Sequence, residues 1–283
     1  MVTIFAQSKD SKWHSRKASY IIACICIAII LAVAVLGKFY FVEATTANFS
    51  QSGIAPSTQH VMGTDIMGRD MLARTLASLS TSVVIGLAAA VVSTIIATAL
   101  GVAAGFGGSK ADAIVSWLSD LCLGLPHLIL LALISFALGK GFVGVIVGLS
   151  LTHWPSLCRL IRSEVVSYKN REFLAIAQKL GKSKPYIARH HILKFLLPQI
   201  AVGFILMFPH AILHEAALSF LGLGLSPDYP SIGVILGEAM TYLSAGMWWL
   251  AIFPGVALLL LVAVFNIAAN RFKKLSDPLS AHD

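Results

Sequence analysis

Charge is scarce in this sequence. Only 12% of its 283 residues are Asp, Glu, Lys or Arg, roughly half the share in an ordinary soluble domain. That scarcity excludes a solvated surface of normal extent, and with 57% hydrophobic residues it makes lipid the main solvent. No Cys-x-x-Cys pair occurs among Cys24, Cys26, Cys122 and Cys158, so neither a zinc knuckle nor a disulfide framework is signalled. All four lie in or beside apolar runs, where cysteine acts as a small buried apolar residue. A phosphate-binding loop is also missing. Gly181-Lys182-Ser183 has the tail of one, but the residue that must be glycine is Ile176, so ATP is not bound by that route. His214-Glu215 opens a His-Glu-x-x-His zinc-protease pattern whose second histidine position holds Leu218. No serine or cysteine nucleophile sits in a recognisable motif, and no internal repeat or low-complexity tract is present.

What is present is a series of long apolar runs. A helix needs about 20 apolar residues to cross the hydrocarbon core, and six runs qualify, at 20–42, 80–106, 114–138, 142–161, 195–222 and 246–270. The sequence therefore predicts an all-α membrane protein with about six transmembrane helices. The first run exceeds the roughly 7–15 residues of a secretory leader's apolar core, so it reads as an uncleaved span. His153-Trp154-Pro155 interrupts the fourth. The formal charge of +8 is unevenly placed. With the N-terminus cytoplasmic, 17 of the 21 Lys and Arg fall inside, as the positive-inside bias requires. The basic excess is thus a membrane-side signal and implies no nucleic-acid partner. The expected order is a cytoplasmic stretch 1–19, a first span 20–42, an outside loop 43–79, a five-helix core 80–270 and a cytoplasmic tail 271–283. The core includes a cytoplasmic loop at 162–194 and an outside loop at 223–245.

Two stretches carry candidate chemistry. In the cytoplasmic loop, Phe173, Ile176, Ala177 and Leu180 share one helical face, and Gly181 can end the helix. That apolar face fits either a groove on a partner protein or an anionic lipid surface. Within the spans, ionisable groups are expensive and mark functional paths; here they are Asp120, His127, His153, His210, His214 and Glu215. Asp120 and His127 are seven apart, on one face of a continuous helix. His210 and His214 share a face, with Met207 a turn earlier. Imidazole suits nickel, copper, zinc and cobalt, and two histidines one turn apart hold a metal weakly enough to release it. Interhelical hydrogen bonding is the competing account. Gly101-x-x-x-Gly105 and Gly144-x-x-x-Gly148 predict close helix packing.

Several motifs resemble one family. These are Gly63-Thr64-Asp65-Ile66-Met67-Gly68-Arg69-Asp70, Asp120 with Pro126, Trp154 with Arg159 and Arg162, the run from Glu215 to Gly224, Pro254-Gly255, Phe265-Asn266 and Asp277-Pro278. From about residue 60 to residue 278 the chain is similar to permease subunits of the dipeptide, oligopeptide and nickel branch of ABC importers. Phe173, Leu174, Ala175, Ile176, Ala177, Leu180 and Gly181 resemble that family's EAA loop, which docks on the ATPase. Ala175 stands where the family has glutamate, Lys194-Phe195 replaces a usual Pro-Asn, and Asn270 stands where Asp is common. His210-Ala211-Ile212-Leu213-His214, Thr152-His153-Trp154 and Arg171-Glu172-Phe173 look like the second permease of nickel importers.

The resemblance implies a type I ABC permease fold in a bacterial inner membrane, with both termini cytoplasmic. Implied partners are a second permease, two ATPases that bind ATP and magnesium, and an extracytoplasmic binding protein. This chain itself would carry no catalytic residue and no resident cofactor. His210, His214, Glu215, Asp120, His127, His153 and Met207 would line the path and touch nickel or a related metal, free or chelated. Gly63, Thr64, Asp65, Gly68, Arg69 and Asp70 would hold the outside loop or help the binding protein dock. Peptide import is the alternative within the family. Secondary transport is the alternative outside it, and the lack of an internal repeat argues against it.

Overall fold

A computed structural model describes residues 9–169, 171, 176 and 180–276. Among the described residues the chain is helical, without strands. Its helices are α1 (Lys9–Phe39), α2 (Phe41–Thr45), α3 (Met71–Phe106), α4 (Ser109–Gly124), α5 (His127–Ala137), α6 (Gly141–Lys169), α7 (Lys184–Ile187), α8 (Leu193–Phe220), α9 (Ile232–Tyr242) and α10 (Trp249–Ser276). A single π turn, Ala188–Ile192, joins α7 to α8. Five stretches are long and apolar enough to cross a membrane, and the bent pair α4–α5 makes a sixth.

The third span is not the single helix expected at 114–138. Pro126 lacks an N–H and forces its predecessor out of the helical region: Leu125 is extended at φ −91 and ψ 144. α4 and α5 therefore meet at 98°. The Pro126 carbonyl starts α5 by accepting from the Ile129 and Leu130 amides at 2.9 and 3.1 Å. As a result Asp120 and His127 stand on different helices, not on one face. The fourth span shows the reverse correction. α6 runs without a break through His153, Trp154 and Pro155. Beside it the Ser93 hydroxyl donates to the Ser150 carbonyl at 2.8 Å, one residue before the Leu151 carbonyl that the Pro155 nitrogen cannot serve.

The expected outside loops are partly helical. α3 begins at Met71 because the Asp70 carboxylate caps it, accepting from the Leu72 and Ala73 amides at 2.8 and 3.0 Å. The segment expected as loop 223–245 holds α9, capped by Ser231 and, at 11 residues, too short to span.

The chain forms two compact units, Met1–Val84 with Ser226–Asp283, and Ile85–Leu225. In the first, α1 packs along α10. Met71, Ile235, Ala239, Trp249 and Leu250 make a buried core there. In the second, α6 packs against α4, α5 and α8. A Cβ at Gly101 would meet the Cys158 carbonyl at 2.9 Å, and one at Gly144 the Ser135 carbonyl at 3.0 Å. Bare glycine therefore sets how closely these helices approach α6 and so where the α6 side chains reach.

Candidate functional site: a histidine-walled cavity

Three histidines from three helices converge in the second unit. His127 is the first residue of α5, placed there by the break at Pro126. His153 projects from α6 and His214 from α8. Ring centroids are 4.7 Å apart for His127–His153, 4.3 Å for His127–His214 and 5.3 Å for His153–His214. One nitrogen of each lies within 4.8 Å of the other two. An ion at about 2.0–2.1 Å from each nitrogen requires the three to draw closer together than this.

The hydrogen bonds decide which nitrogens face the centre. His153 Nδ1 sits 3.0 Å from the Leu149 carbonyl. A carbonyl only accepts, so Nδ1 carries the proton, and in the neutral ring Nε2 keeps its lone pair. Metal-binding histidines are oriented by this kind of backbone contact. His153 Nε2 and His127 Nε2 are both buried with no hydrogen-bond partner among the described residues. Buried polar atoms are rarely left so, and two in one cluster mark a place where a Lewis acid fits.

The cluster opens on a cavity of about 390 Å³. His127, His153, His210 and His214 wall it together with Ser156 and Met207; the remainder is mainly leucine. Its wall contains no Asp, Glu, Lys or Arg. The pair singled out from sequence, His210 and His214, is thus divided: His214 joins the cluster and His210 lines the cavity beside it. Met207 also lines it. Glu215 does not. It is fully buried, accepts from Ser219 Oγ at 2.9 Å, and Ser219 Oγ in turn accepts from the Leu225 amide at 3.1 Å. That chain secures the end of α8. Asp120 lies off the cavity wall and pairs with Arg159. Sequence reasoning missed the Leu149 carbonyl and Ser156. A usable signal was that three separate spans each carry a histidine.

The outside motif forms a buried ion network in the first unit. Asp65 Oδ1 accepts from the Met67 and Arg69 amides at 2.9 and 2.8 Å. Its Oδ2 accepts from Arg69 Nε and an Arg74 guanidinium nitrogen, each at 2.6 Å. Arg74 also reaches Glu238 at 2.9 Å, and His60 Nδ1 meets Asp70 at 2.8 Å. The Thr64 carbonyl accepts from Trp249 Nε1 at 3.0 Å. Gly63 and Gly68 both have positive φ, and a Cβ on Gly68 would lie 1.7 Å from the Asn48 carbonyl. Arg74, Glu238 and Trp249 were not legible as members, being distant in sequence. In the loop expected to be cytoplasmic, Phe173, Leu174, Ala175 and Ala177 lie outside the described residues, as does Asp277-Pro278. Ile176 and Leu180 are exposed, and Gly181 is left-handed at φ +79.

The chain as a whole is similar to known proteins. The profile of the binding-protein-dependent transport system inner membrane component matches residues 97–281. The chain belongs to that family. It is 30% identical over 273 residues to the dipeptide transport system permease protein of Bacillus subtilis, covering 96% of this chain and 85% of that one. It is 30% identical over 267 residues to the oligopeptide transport system permease protein of the same organism, covering 94% and 87%. It is 32% identical over 274 residues to a dipeptide permease of Alkalihalophilus pseudofirmus, covering 97% and 88%. A chain of the MetNI methionine ABC transporter, solved in inward-facing conformations, superposes with a TM-score of 0.58 at 16% identity, covering 73% of this chain and 98% of that one. The fold is that of an ABC importer permease, and this permease is a multi-pass inner-membrane subunit that works with ATPase and substrate-binding subunits.

Proposed function

We propose that this permease carries nickel or a related transition metal, as the ion or a small chelate, through the histidine-walled cavity. The observation that carries the reading is the convergence of His127, His153 and His214 with two buried, unpartnered Nε2 atoms. Neutral imidazoles favour borderline metals over magnesium or calcium. The relatives named for peptide transport support a second reading, import of a dipeptide. A zwitterionic peptide asks for charged partners, and the cavity wall has none.

The working complex holds a second homologous permease, two ATPases and an extracytoplasmic binding protein. The basic loops place both termini and residues 162–194 in the cytoplasm. The segment 171–184 docks on the ATPase and moves with it as the permease alternates between outward and inward access. Gly181 bears on this directly. Among the described residues a Cβ there meets nothing within 4 Å, yet the left-handed backbone disfavours any Cβ by about 1–2 kcal/mol. Gly181→Val is expected to leave the complex assembled while uncoupling it, with substrate-stimulated ATP hydrolysis falling several-fold. Unchanged hydrolysis and transport remove the segment from coupling.

The substrate is tested by ATP hydrolysis of the reconstituted complex with its binding protein, offered nickel, cobalt, zinc, a nickel chelate or a dipeptide. Stimulation by nickel or cobalt is expected. Stimulation by the dipeptide alone reverses the reading in favour of peptide import.

A further inference from the structure

Two ion pairs join α4 to α6, and they are built differently. Arg162 grips Asp112 with two nitrogens, one contact being 2.6 Å, and both side chains are about one-third exposed at 37% and 31%. This two-pronged pair is sufficient to tie the helices. Arg159 and Asp120 touch through one nitrogen and one oxygen, with side chains 50% and 68% exposed. Asp120 Oδ2 accepts no hydrogen bond from the described residues. This pair is single-pronged and more exposed than the Arg162–Asp112 pair.

Its position is more telling. Leu123 and Ser156 are on the cavity wall. Asp120 is one turn before Leu123 on α4, and Arg159 is one turn beyond Ser156 on α6. Along α6, Arg159 is six residues past His153, about 9 Å at 1.5 Å per residue. The pair therefore adjoins the histidine cavity on the side leading to the Arg162 end of α6.

We propose that Asp120 and Arg159 form a second station for the cargo, a charge-controlled exit from the histidine site. The inference rests on the metal reading above. Three neutral imidazoles supply lone pairs but no charge, and a divalent cation in a water-poor path is costly without one. Asp120 provides a carboxylate one turn from the cavity wall to draw the ion on, whereas Glu215 is engaged by Ser219. A carboxylate inside the histidine cluster would complete a closed four-ligand site of the kind that retains metal structurally. Setting it apart, with Arg159 competing for it, gives two weaker sites in sequence. Arg159 must give up Asp120 for the cation to bind, and it reclaims the carboxylate when the cation leaves. Asp120 thus lowers the concentration of metal required, and Arg159 speeds release.

The test measures nickel uptake by vesicles containing the complete importer, with free Ni²⁺ delivered by its binding protein. Asp120→Asn is expected to raise KM roughly tenfold, and Arg159→Gln to lower KM and kcat together, since the freed carboxylate holds the ion. The double variant is expected to keep the raised KM of Asp120→Asn, because Arg159 acts only through that carboxylate, and Asp120→Glu to retain the wild-type KM. Opposite KM shifts are something a structural clamp does not produce. If both single variants shift KM the same way, or lose assembly with KM unchanged, the station is overturned while metal import stands. If wild-type vesicles take up a dipeptide and no nickel, the metal reading fails and the station with it.

Discussion

His153→Ala, in an assembled importer, is expected to lower nickel uptake roughly 100-fold, at the upper end of the 10–100-fold typical of residues that merely orient a metal ligand. The size follows from geometry. His153 has its tautomer fixed by the Leu149 carbonyl, and its ring lies 4.7 and 5.3 Å from those of His127 and His214. Removing it leaves two donors on different helices. His127→Ala and His214→Ala are expected to fall in the same range, and His210→Ala less, because His210 lines the cavity outside the three-ring cluster. Stability should move the other way. The unpartnered Nε2 costs the resting protein about 1–3 kcal/mol, so His153→Leu is expected to raise the melting temperature of the purified complex while stopping uptake. Wild-type uptake by an assembled triple alanine variant would remove the cluster from the path.

Asp65→Ala is expected to abolish assembly of the importer. Asp65 and Arg74 are each 2% exposed in their side chains and 2.6 Å apart. Removing one member of a buried ion pair costs roughly 3–5 kcal/mol, against a total of about 5–15 kcal/mol for a folded domain. The loss also frees the Met67 and Arg69 amides that Asp65 Oδ1 accepts from. Arg74→Ala should act as strongly, while Arg74→Lys recovers only part because an ammonium lacks the guanidinium fork that spans Asp65 and Glu238. Limited proteolysis of residues 43–70 in detergent reports the loop directly. A variant with an intact loop that fails only to engage the binding protein would assign the motif to docking instead.

Legibility differed by kind of interaction. Hydropathy found every span, because each apolar run must meet lipid whatever its neighbours do. It misjudged the two prolines. Pro126 and Pro155 carry the same local penalty, yet one bends its span by 98° and the other sits inside an unbroken α6. Local sequence cannot tell whether neighbouring helices will pack around a proline and keep its span unbroken, as they do around the buried Pro155. The histidine pair four residues apart was visible on one helix, whereas the cluster of three was not, since its members are 26 and 61 residues apart in the chain. Glu215 looked like a path residue from its place in a span. Only its hydrogen bond to Ser219 shows that it secures the end of α8.

By itself the sequence determined the solvent, the long apolar helices and the family to which the motifs belong. Those properties follow from composition along a single strand of chain, where each residue's transfer free energy acts nearly independently. The tertiary structure decided that α4 and α5 break at Pro126, that His127, His153 and His214 meet, and that Asp65 is locked between two arginines. Each of those outcomes depends on the closeness of helix packing, set at glycines such as Gly101 and Gly144 where a single methyl group would collide with a neighbouring backbone or side chain, and on hydrogen bonds between residues remote in sequence.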